Sequence, residues 1–435
     1  MKALLDIMAR HKAGKGVGIY SVCCAHPLII EAALRFAKAQ GSPALIEATS
    51  NQVNQDGGYT GMRPADFARL VQQIAVKVGL PLEQLMLGGD HLGPNCWQQL
   101  PAETAMRHAE RLIADYVAAG FRKIHLDCSM SCAGDTVPLS DSTVAARAAR
   151  LCAIAEQAWR KAGGEAPVYI VGTEVPVPGG AHETLHELTP TAPAAAAATI
   201  AAHRRAFDEA GLHDTWSRVM GLVVQPGVEF DHYQVVDFRP ERVGPLSAVI
   251  ETQAQMLYEA HSTDYQTASH LRALVQSHFA ILKVGPALSF ALREALFALD
   301  QIETELLGSE RASGLRRTIL KAMEADPRHW QRYYSSSGAQ LRLDCQYSLS
   351  DRIRYYWPHP AVVAALEKLV ANLDAHAPPL ALLSQYLPAG YWAVREGWIK
   401  PGARELAMHH VSLVLGQYAF ACGQRAVRSD DVSAA

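Results

Sequence analysis

The chain has 435 residues, of which 49% are hydrophobic and 19% charged, and this composition is typical of a globular protein. A formal net charge of -3 excludes a global field that would recruit nucleic acid or anionic lipid. The first residues contain no secretory signal, and no apolar run is long enough to cross a bilayer, so we expect a cytoplasmic protein. The eight cysteines then predict reduced core thiols and not a disulfide framework.

Eight short apolar segments, rich in Val, Ile and Leu, recur along the chain, and each ends in a polar or small residue. They cover residues 16–26, 44–50, 85–91, 123–129, 168–174, 220–226, 257–263 and 279–285. Amphipathic segments with helical spacing lie between them. Continuous apolar strands that alternate with helices predict a parallel sheet covered on both faces. Eight such units match the size of a (β/α)8 TIM barrel, which we place at residues 1–310.

A doubly wound sheet is the alternative to the barrel. The count of eight units favours the barrel, and so does the polar residue at nearly every strand end, because a doubly wound sheet concentrates its site at one switch point. After about residue 310 the helical segments follow one another without strands. We therefore expect a C-terminal helical extension over residues 311–435 that packs on the barrel.

Polar side chains stand where the predicted strands end, which is the edge at which TIM barrels carry their chemistry. In chain order they are His26, Glu47, Ser50, Asn51, Asp90, His91, Asp127, Glu174, Gln225, His261, Asp264 and Lys283. Histidines and carboxylates that converge in this way are the ligands of Zn²⁺ and Mn²⁺ sites. An open coordination position on such an ion would let it polarise a substrate carbonyl.

Several of these residues also have a purely structural interpretation. Asp127 could cap the following helix, and a lone strand-end histidine is often only hydrogen bonded. Glu174 precedes the rigid segment VPVPGG, where no helix needs a cap, and this favours a function. Asp90 and His91 lie in GGDHLGPN, whose glycines let the backbone bend tightly around a site. Lys283 is predicted to contact a phosphate or a carboxylate, and a Schiff-base lysine is the alternative.

Two further segments are candidates for substrate contacts. Residues 48–62 are polar and rich in glycine, and they predict a loop that offers Asn51 and backbone N–H groups to hydroxyls. Residues 347–357 place Arg352 and Arg354 among aromatic residues, where they either clamp a substrate phosphate or belong to a packed helix start. The sequence contains neither a dinucleotide fingerprint nor a GxxxxGK[ST] loop, so neither NAD nor ATP is expected as a cofactor.

Stretches along most of the chain resemble the Z-subunit family of D-tagatose-1,6-bisphosphate aldolase, the GatZ/KbaZ-type proteins. They include LIEATSNQVNQDGGYTGM, GGDHLGPNCWQ, GFRKIHLDCSMSCAGD, VGTEVPVPGG, VVQPGVEFDH, YEAHSTDYQT and YSLSDRIRYYWPH. The resemblance implies kinship with class II aldolases, in which a strand-end Asp-His pair supplies a catalytic Asp and a zinc ligand. Asp90 and His91 match that pair. The resemblance also implies that His261 is a metal ligand and that Glu174 is a carboxylate close to the metal.

One position departs from the aldolase pattern. The aldolases present a further ligand histidine near the end of the sixth strand, and this chain has Gln225 there. Either Gln225 is a weaker oxygen ligand, or Glu174 and Asp127 complete the set. The departure fits the usual description of the family as a non-catalytic partner that stabilises the Y subunit.

The chemistry of a ketohexose limits the possible reactions. Its C4 hydrogen is not alpha to the C2 carbonyl, so proton abstraction alone cannot invert C4. Candidate metal ligands without a nucleotide motif favour retro-aldol cleavage of C3–C4 over transient oxidation. The predicted site has a Zn²⁺ or Mn²⁺ ion on His91, His261 and Glu174, with Asp90 as the general base. Asp127 is predicted as a fourth metal ligand, and Glu174 is also a predicted catalytic residue. The predicted substrate contacts are Asn51, Gln225, Asp264, Lys283, Arg352 and Arg354.

These atoms would serve two enzymatic outcomes equally well. Loss of the aldehyde gives a lyase, and its re-addition after rotation gives a tagatose/fructose 4-epimerase, on a ketohexose or its phosphate. The alternative from another functional class is a non-catalytic subunit that stabilises a separate class II tagatose-bisphosphate aldolase, the Y subunit. We also expect the chain to form a homo-oligomer.

Overall fold

A computed structural model of the chain describes residues 1–172 and 188–424. The strands among these residues are β1 (Ile19–Val22), β2 (Ala44–Thr49), β3 (Leu85–Leu92), β4 (Lys123–Leu126), β5 (Val168–Gly172), β6 (Val219–Val223), β7 (Glu229–Phe230), β8 (Val235–Val236), β9 (Leu257–Ala260) and β10 (Ile281–Val284). Strands β7 and β8 form a small antiparallel hairpin. The other eight close into a barrel in the order β1-β10-β9-β6-β5-β4-β3-β2, and neighbouring strands are parallel.

The α-helices of the described residues alternate with the barrel strands and then follow one another. They are α1 (Lys2–Lys12), α2 (Pro27–Gln40), α3 (Pro64–Val78), α4 (Ala102–Ala118), α5 (Asp141–Ala162), α6 (Pro193–Glu209), α7 (His213–Trp216), α8 (Gly244–Glu251), α9 (Ala268–Gln276), α10 (Pro286–Leu307), α11 (Leu315–Ala325), α12 (Gly338–Tyr347), α13 (Pro360–Ala375), α14 (Leu380–Tyr386), α15 (Pro388–Arg395) and α16 (Ala403–Ala421). The prediction of a (β/α)8 barrel with C-terminal helices is therefore confirmed.

The side chains of each barrel strand alternate between the barrel interior and the surrounding helices. In β10, Ile281 belongs to the interior cluster, whereas Leu282 and Val284 pack in the outer core beneath the helices. Lys283 therefore faces the interior, two residues further along than Ile281. In each of the eight barrel strands, every second side chain faces the interior, up to the carboxyl end of the strand.

Helix α1 closes the end of the barrel at which the strands begin. Its Leu4 and Ile7 are buried in one apolar cluster with interior side chains from six of the strands. Those side chains are Ile19, Leu45, Met86, Val168, Ile170, Met220, Val223 and Ile281. The bottom of the barrel is thus a dry apolar plug.

Helix α16 returns from the end of the described chain to the barrel wall. It contacts β1, α2, α9 and α10. Because α2 follows the first barrel strand and α9 follows the seventh, α16 fills the place between them in the helical layer. The hydroxyl of Tyr418 on α16 donates to the carbonyl oxygen of Thr263 at 2.9 Å, close behind the end of β9. A domain boundary at residue 311 stays a prediction.

None of the helices in residues 1–172 and 188–424 is both long enough and apolar enough to span a membrane.

Candidate active site at the strand ends

Interior side chains of β2, β3, β4, β9 and β10 form a buried network of opposite charges. The ammonium of Lys123 lies 2.7 Å from Glu47 Oε1 and 2.6 Å from Glu259 Oε2. The ammonium of Lys283 contacts Glu47 and lies 2.9 Å from Asp90 Oδ1 and 3.6 Å from Glu259 Oε1. Each carboxylate has a cation partner, so this charged layer can exist inside the barrel.

Asp90 is held as a carboxylate by its neighbours. Burial opposes its ionisation, but the charges of His91 and Lys283 and a hydrogen bond from His125 keep the pKa of Asp90 well below its ordinary value. Burial likewise disfavours a charged Lys283, yet the surrounding carboxylates, first of all Asp90, raise the pKa of Lys283 well above its ordinary value. At neutral pH the site therefore presents an ionised Asp90 beside a fixed ammonium.

Three imidazole rings pack against one another above this layer. The ring centroids of His91 and His261 are 4.9 Å apart, those of His125 and His261 5.1 Å, and those of His91 and His125 5.2 Å. Burial lowers the pKa of His261 to about 4, so its ring is neutral at pH 7 and retains a lone pair for a ligand. One ring nitrogen of His261, Nε2, lies 3.0 Å from Glu259 Oε1.

His91 is oriented from behind by Asp127. Its Nδ1 donates to Asp127 Oδ2 at 2.8 Å, and Asp127 Oδ1 accepts the hydroxyl of Ser129 at 2.7 Å. This contact fixes the orientation of the His91 ring, whose other nitrogen, Nε2, lies 3.7 Å from Asp90 Oδ2. A carboxylate behind a histidine is the common arrangement around metal-binding histidines.

The backbone around His91 is held in an unusual conformation. His91 has a φ of 49°, a value that residues other than glycine rarely adopt. At Gly93 a Cβ atom would come 1.7 Å from the carbonyl oxygen of Asp127, so only glycine permits this approach of the two loops. The strained turn therefore brings His91 and Asp127 together, and the strain is of the kind that clusters at functional sites.

Four of these side chains could hold a divalent ion. One potential ligand atom from each of Asp90, His125, Glu259 and His261 lies within 4.8 Å of the others. His125 Nδ1 lies 2.9 Å from Asp90 Oδ1, and the backbone N–H of His91 also points to this atom at 3.2 Å. In the tautomer with its proton on Nδ1, His125 donates to Asp90 and has a lone pair on Nε2. That Nε2 atom is buried and has no hydrogen-bond partner among residues 1–172 and 188–424. Two imidazoles, two carboxylates and a buried unpartnered nitrogen fit a Zn²⁺ or Mn²⁺ ion.

A second group of potential ligand atoms comes from Cys23, Glu47 and Asp90. The ammonium of Lys283 already contacts Glu47 and Asp90 there. Burial also raises the pKa of the Cys23 thiol well above its ordinary value, so this sulfur is not a thiolate at neutral pH. The group around His125 is therefore the better candidate for a metal.

A cavity of about 420 Å³ opens onto these groups. Of the residues predicted from the sequence, it is lined by Asn51, Asp90, His91, His261, Asp264, Lys283 and Arg354. The barrel thus brings most of the predicted residues to one place. Their roles in binding or catalysis stay predictions.

The other predicted residues have different surroundings. Gln225 Oε1 accepts the backbone N–H groups of Gly227 and Val228 at 2.8 and 3.0 Å, so this side chain stabilises the turn before the β7–β8 hairpin. The guanidinium of Arg352 lies 3.1 Å from the ring centroid of Tyr333. Asp127 acts on His91, as described above. Glu174 lies outside the described residues, so its predicted role stays untested.

The sequence prediction missed Lys123, His125 and Glu259. It considered only residues at or close to the predicted end of each segment, whereas these three side chains lie further back along the strands. The signal was present in KIHL and YEAH, where polar residues two apart interrupt an apolar strand. In a strand of a closed barrel, residues at that spacing point to the same side, and polar ones point to the interior site.

Two solved aldolases overlap only weakly with this chain. The fructose-bisphosphate aldolase of Campylobacter jejuni is 14% identical with a TM-score of 0.43, over 85% of this chain and 92% of that one. The YdjI aldolase of Escherichia coli K12 is 12% identical with a TM-score of 0.40, over 85% of this chain and 97% of that one. Similarity at this level supports no functional comparison.

A third solved structure is much more similar. The crystal structure of a probable tagatose 6 phosphate kinase from Sinorhizobium meliloti 1021 is 50% identical with a TM-score of 0.86, over 93% of this chain and 100% of that one. A family model described as D-tagatose-1,6-bisphosphate aldolase subunit GatZ/KbaZ-like matches residues 4–423. The chain therefore belongs to the GatZ/KbaZ-like family of D-tagatose-1,6-bisphosphate aldolase subunits.

Proposed function

We propose that this protein is a metal-dependent enzyme that breaks and remakes the C3–C4 bond of a ketohexose or its phosphate. The observation that carries the proposal is the position of Asp90, which lines the cavity together with His91 and His261 and lies against the cluster that these two rings form with His125. A carboxylate poised beside a set of metal ligands is what general-base catalysis of an aldol cleavage requires. Family membership supports the same class of reaction.

The proposed step begins with proton transfer. Asp90 removes the proton from the C4 hydroxyl, and the O–H electron pair forms the C4 carbonyl. The C3–C4 bond breaks, its pair forms the C2–C3 double bond, and the C2 carbonyl pair moves onto O2. An aldehyde and a three-carbon enediolate result. A divalent ion bound by His125, His261 and Glu259, or by the predicted ligand His91, would act as a Lewis acid and stabilise the charge on oxygen, and Asp90 stays available as the base.

The fixed groups of the protein assist this step. The ammonium of Lys283, at 2.9 Å, holds one oxygen of Asp90 in place while the proton is transferred. Asn51 and Asp264 line the cavity, and they can hydrogen bond to sugar hydroxyls. If the aldehyde leaves, the protein is a lyase. If the aldehyde rotates and is attacked on its other face, protonated Asp90 returns its proton to O4 and the product is the C4 epimer.

A non-catalytic subunit is the second candidate function. Two observations favour it: the description of the family as a subunit, and the engagement of Gln225 in a turn at the position where the aldolases have a ligand histidine. This chain would then stabilise a separate class II aldolase. The charged network would still be needed to support the barrel, but neither Asp90 nor the metal ligands would affect turnover.

Assays of the purified chain with added Zn²⁺ or Mn²⁺ separate the two candidates. We expect interconversion of tagatose and fructose, or of their phosphates, without a second protein and without NAD. The Asp90→Asn variant serves as the inactive control. A pure chain without turnover that nevertheless prolongs the lifetime of a co-expressed class II aldolase would instead support the subunit function.

A further inference from the structure

The start of α10 has the features of an anion-binding site, but a carboxylate of the protein already occupies it. In (β/α)8 barrels, phosphate groups often bind at a helix N-terminus beside the loops that follow the last two strands. Here Asp264, in the loop after β9, accepts the N–H groups of Gly285 and Ala287 on its Oδ1 at 3.0 and 2.8 Å. The Asp264 side chain is buried and lines the cavity.

The guanidinium of Arg354, beside this helix start, already has partners within the protein. The guanidinium of Arg354 donates to the backbone oxygens of Ser350 and Asp351 and, at 3.3 Å, to the hydroxyl of Tyr355. The carboxylate of Asp351 accepts the hydroxyl of Ser289, in the first turn of α10, at 2.6 Å. Two buried carboxylates, Asp264 and Asp351, therefore face two guanidiniums, those of Arg354 and Arg293. The helix start offers no excess of positive charge to a phosphate.

We infer that the substrate presents a free hydroxyl, and not a phosphate, to the start of α10. Oδ1 of Asp264 is used by the helix, whereas its other oxygen can accept a hydrogen bond from a sugar hydroxyl. A phosphate in the same place would stand beside the Asp264 carboxylate and would find the N–H groups of Gly285 and Ala287 already bonded. If one end of the sugar lies at the start of α10, a ketose with phosphate at both ends places a phosphate there. The inference rests on the proposed function and narrows its substrate class to ketoses that are not bisphosphates.

The test compares ligand binding by the metal-loaded wild type, Asp264→Asn and a control, Asp231→Asn. Asp231 has the same local chemistry, because it accepts the N–H groups of Tyr233 and Gln234, both at 2.7 Å, in the β7–β8 hairpin. Calorimetry measures the affinities of tagatose, tagatose 6-phosphate and tagatose 1,6-bisphosphate. The wild type and the control should bind the bisphosphate about 100-fold more weakly than the better of the other two, because a like charge at close range is strongly unfavourable. In Asp264→Asn the ratio of these two affinities should fall by at least about 10-fold.

A wild-type protein that binds the bisphosphate as tightly as the other two sugars would overturn the inference and leave the proposed function intact. If none of the three sugars binds, the proposed function is contradicted. The effect of inorganic phosphate on the melting temperature then tests the inference alone. Phosphate should raise the melting temperature of Asp264→Asn but not that of the wild type or the control. An Asp264→Asn protein that gains no stabilisation overturns the inference. Should this variant not fold, Asp264→Ser, which keeps an acceptor at the helix start, replaces it.

Discussion

The two ends of the barrel are built from the same eight strands but have opposite interiors. At the end where the strands begin, aliphatic side chains from the strands and Leu4 and Ile7 of α1 form a dry cluster. At the end where they finish, the interior holds two lysines, three carboxylates and three histidines. Within a single strand the interior changes from apolar to charged between successive interior-facing residues, as between Ile281 and Lys283 in β10.

The two ends of the barrel contribute differently to stability. Burial of the apolar plug stabilises the fold, at about 25 cal/mol for each square ångström of apolar surface removed from water. Burial of the charged layer costs desolvation energy that its ion pairs only offset. A protein needing stability alone would continue the aliphatic interior to both ends. The charged end is therefore best explained by function, and substitutions at the two ends should have different consequences.

The largest effect is expected at Asp90. Asp90→Asn should leave the fold and the metal content unchanged and reduce any C3–C4 chemistry by about 10²–10⁴-fold, which is the usual contribution of a general base. Steady-state rates with tagatose and its phosphates measure this effect, and circular dichroism checks the fold. An unchanged rate in Asp90→Asn would mean that another residue is the base.

Loss of a histidine from the charged end should remove the metal. We expect His125→Ala and His261→Ala each to weaken binding of Zn²⁺ or Mn²⁺ by more than about 10-fold, since changes at groups that only support a ligand already cost 10–100-fold. His203→Gln is the matched control, because His203 is also buried and bonds through Nδ1 to the Thr199 carbonyl at 2.9 Å on α6. Elemental analysis after dialysis gives the metal content. Equal metal in all variants would place the ion elsewhere.

At the apolar end we expect a loss of stability without a loss of function. Leu4→Ala should lower the free energy of unfolding by about 2–5 kcal/mol, because it leaves a cavity in the plug. Leu5 on the same helix is 42% exposed, against 1% for Leu4, and Leu5→Ala should change stability by less than about 0.5 kcal/mol. Urea unfolding measures the difference. If Leu4→Ala also abolished metal binding, the two ends would not be independent.

A smaller, pH-dependent effect is expected at Glu229, beside the charged end. Burial raises the pKa of Glu229 to about 7, and its carboxyl accepts the hydroxyl of Ser262 at 3.1 Å. A carboxyl with a raised folded-state pKa stabilises the fold at low pH, and this contribution is lost as the pH rises through about 7. The free energy of unfolding of Glu229→Gln, taken relative to that of the wild type, should therefore rise by roughly 1–3 kcal/mol from pH 5 to pH 8. Thermal unfolding at both values checks this sign, and a variant with no pH-dependent gain would contradict it.

The fold was predictable because its signals are local and repeated. Eight apolar runs separated by amphipathic helices are enough to identify the barrel. Asp90, His91 and His261 were found because strand ends converge in this fold. His125 and Glu259 could be predicted only by following the interior-facing positions back along each strand from its end. The capping of α10 by Asp264 depends on a contact between two loops, and no spacing in the sequence reports such a contact.

The central claim is that this chain alone cleaves and remakes the C3–C4 bond of a ketose. The most direct measurement is the proton NMR spectrum of the 4-epimer formed from tagatose or tagatose 6-phosphate by the pure, metal-loaded protein in D₂O. The retro-aldol route keeps the original hydrogen on C4, since that hydrogen stays on the aldehyde carbon throughout. We therefore predict a product with protium at C4, formed without NAD. Deuterium at C4 of the product would contradict the account.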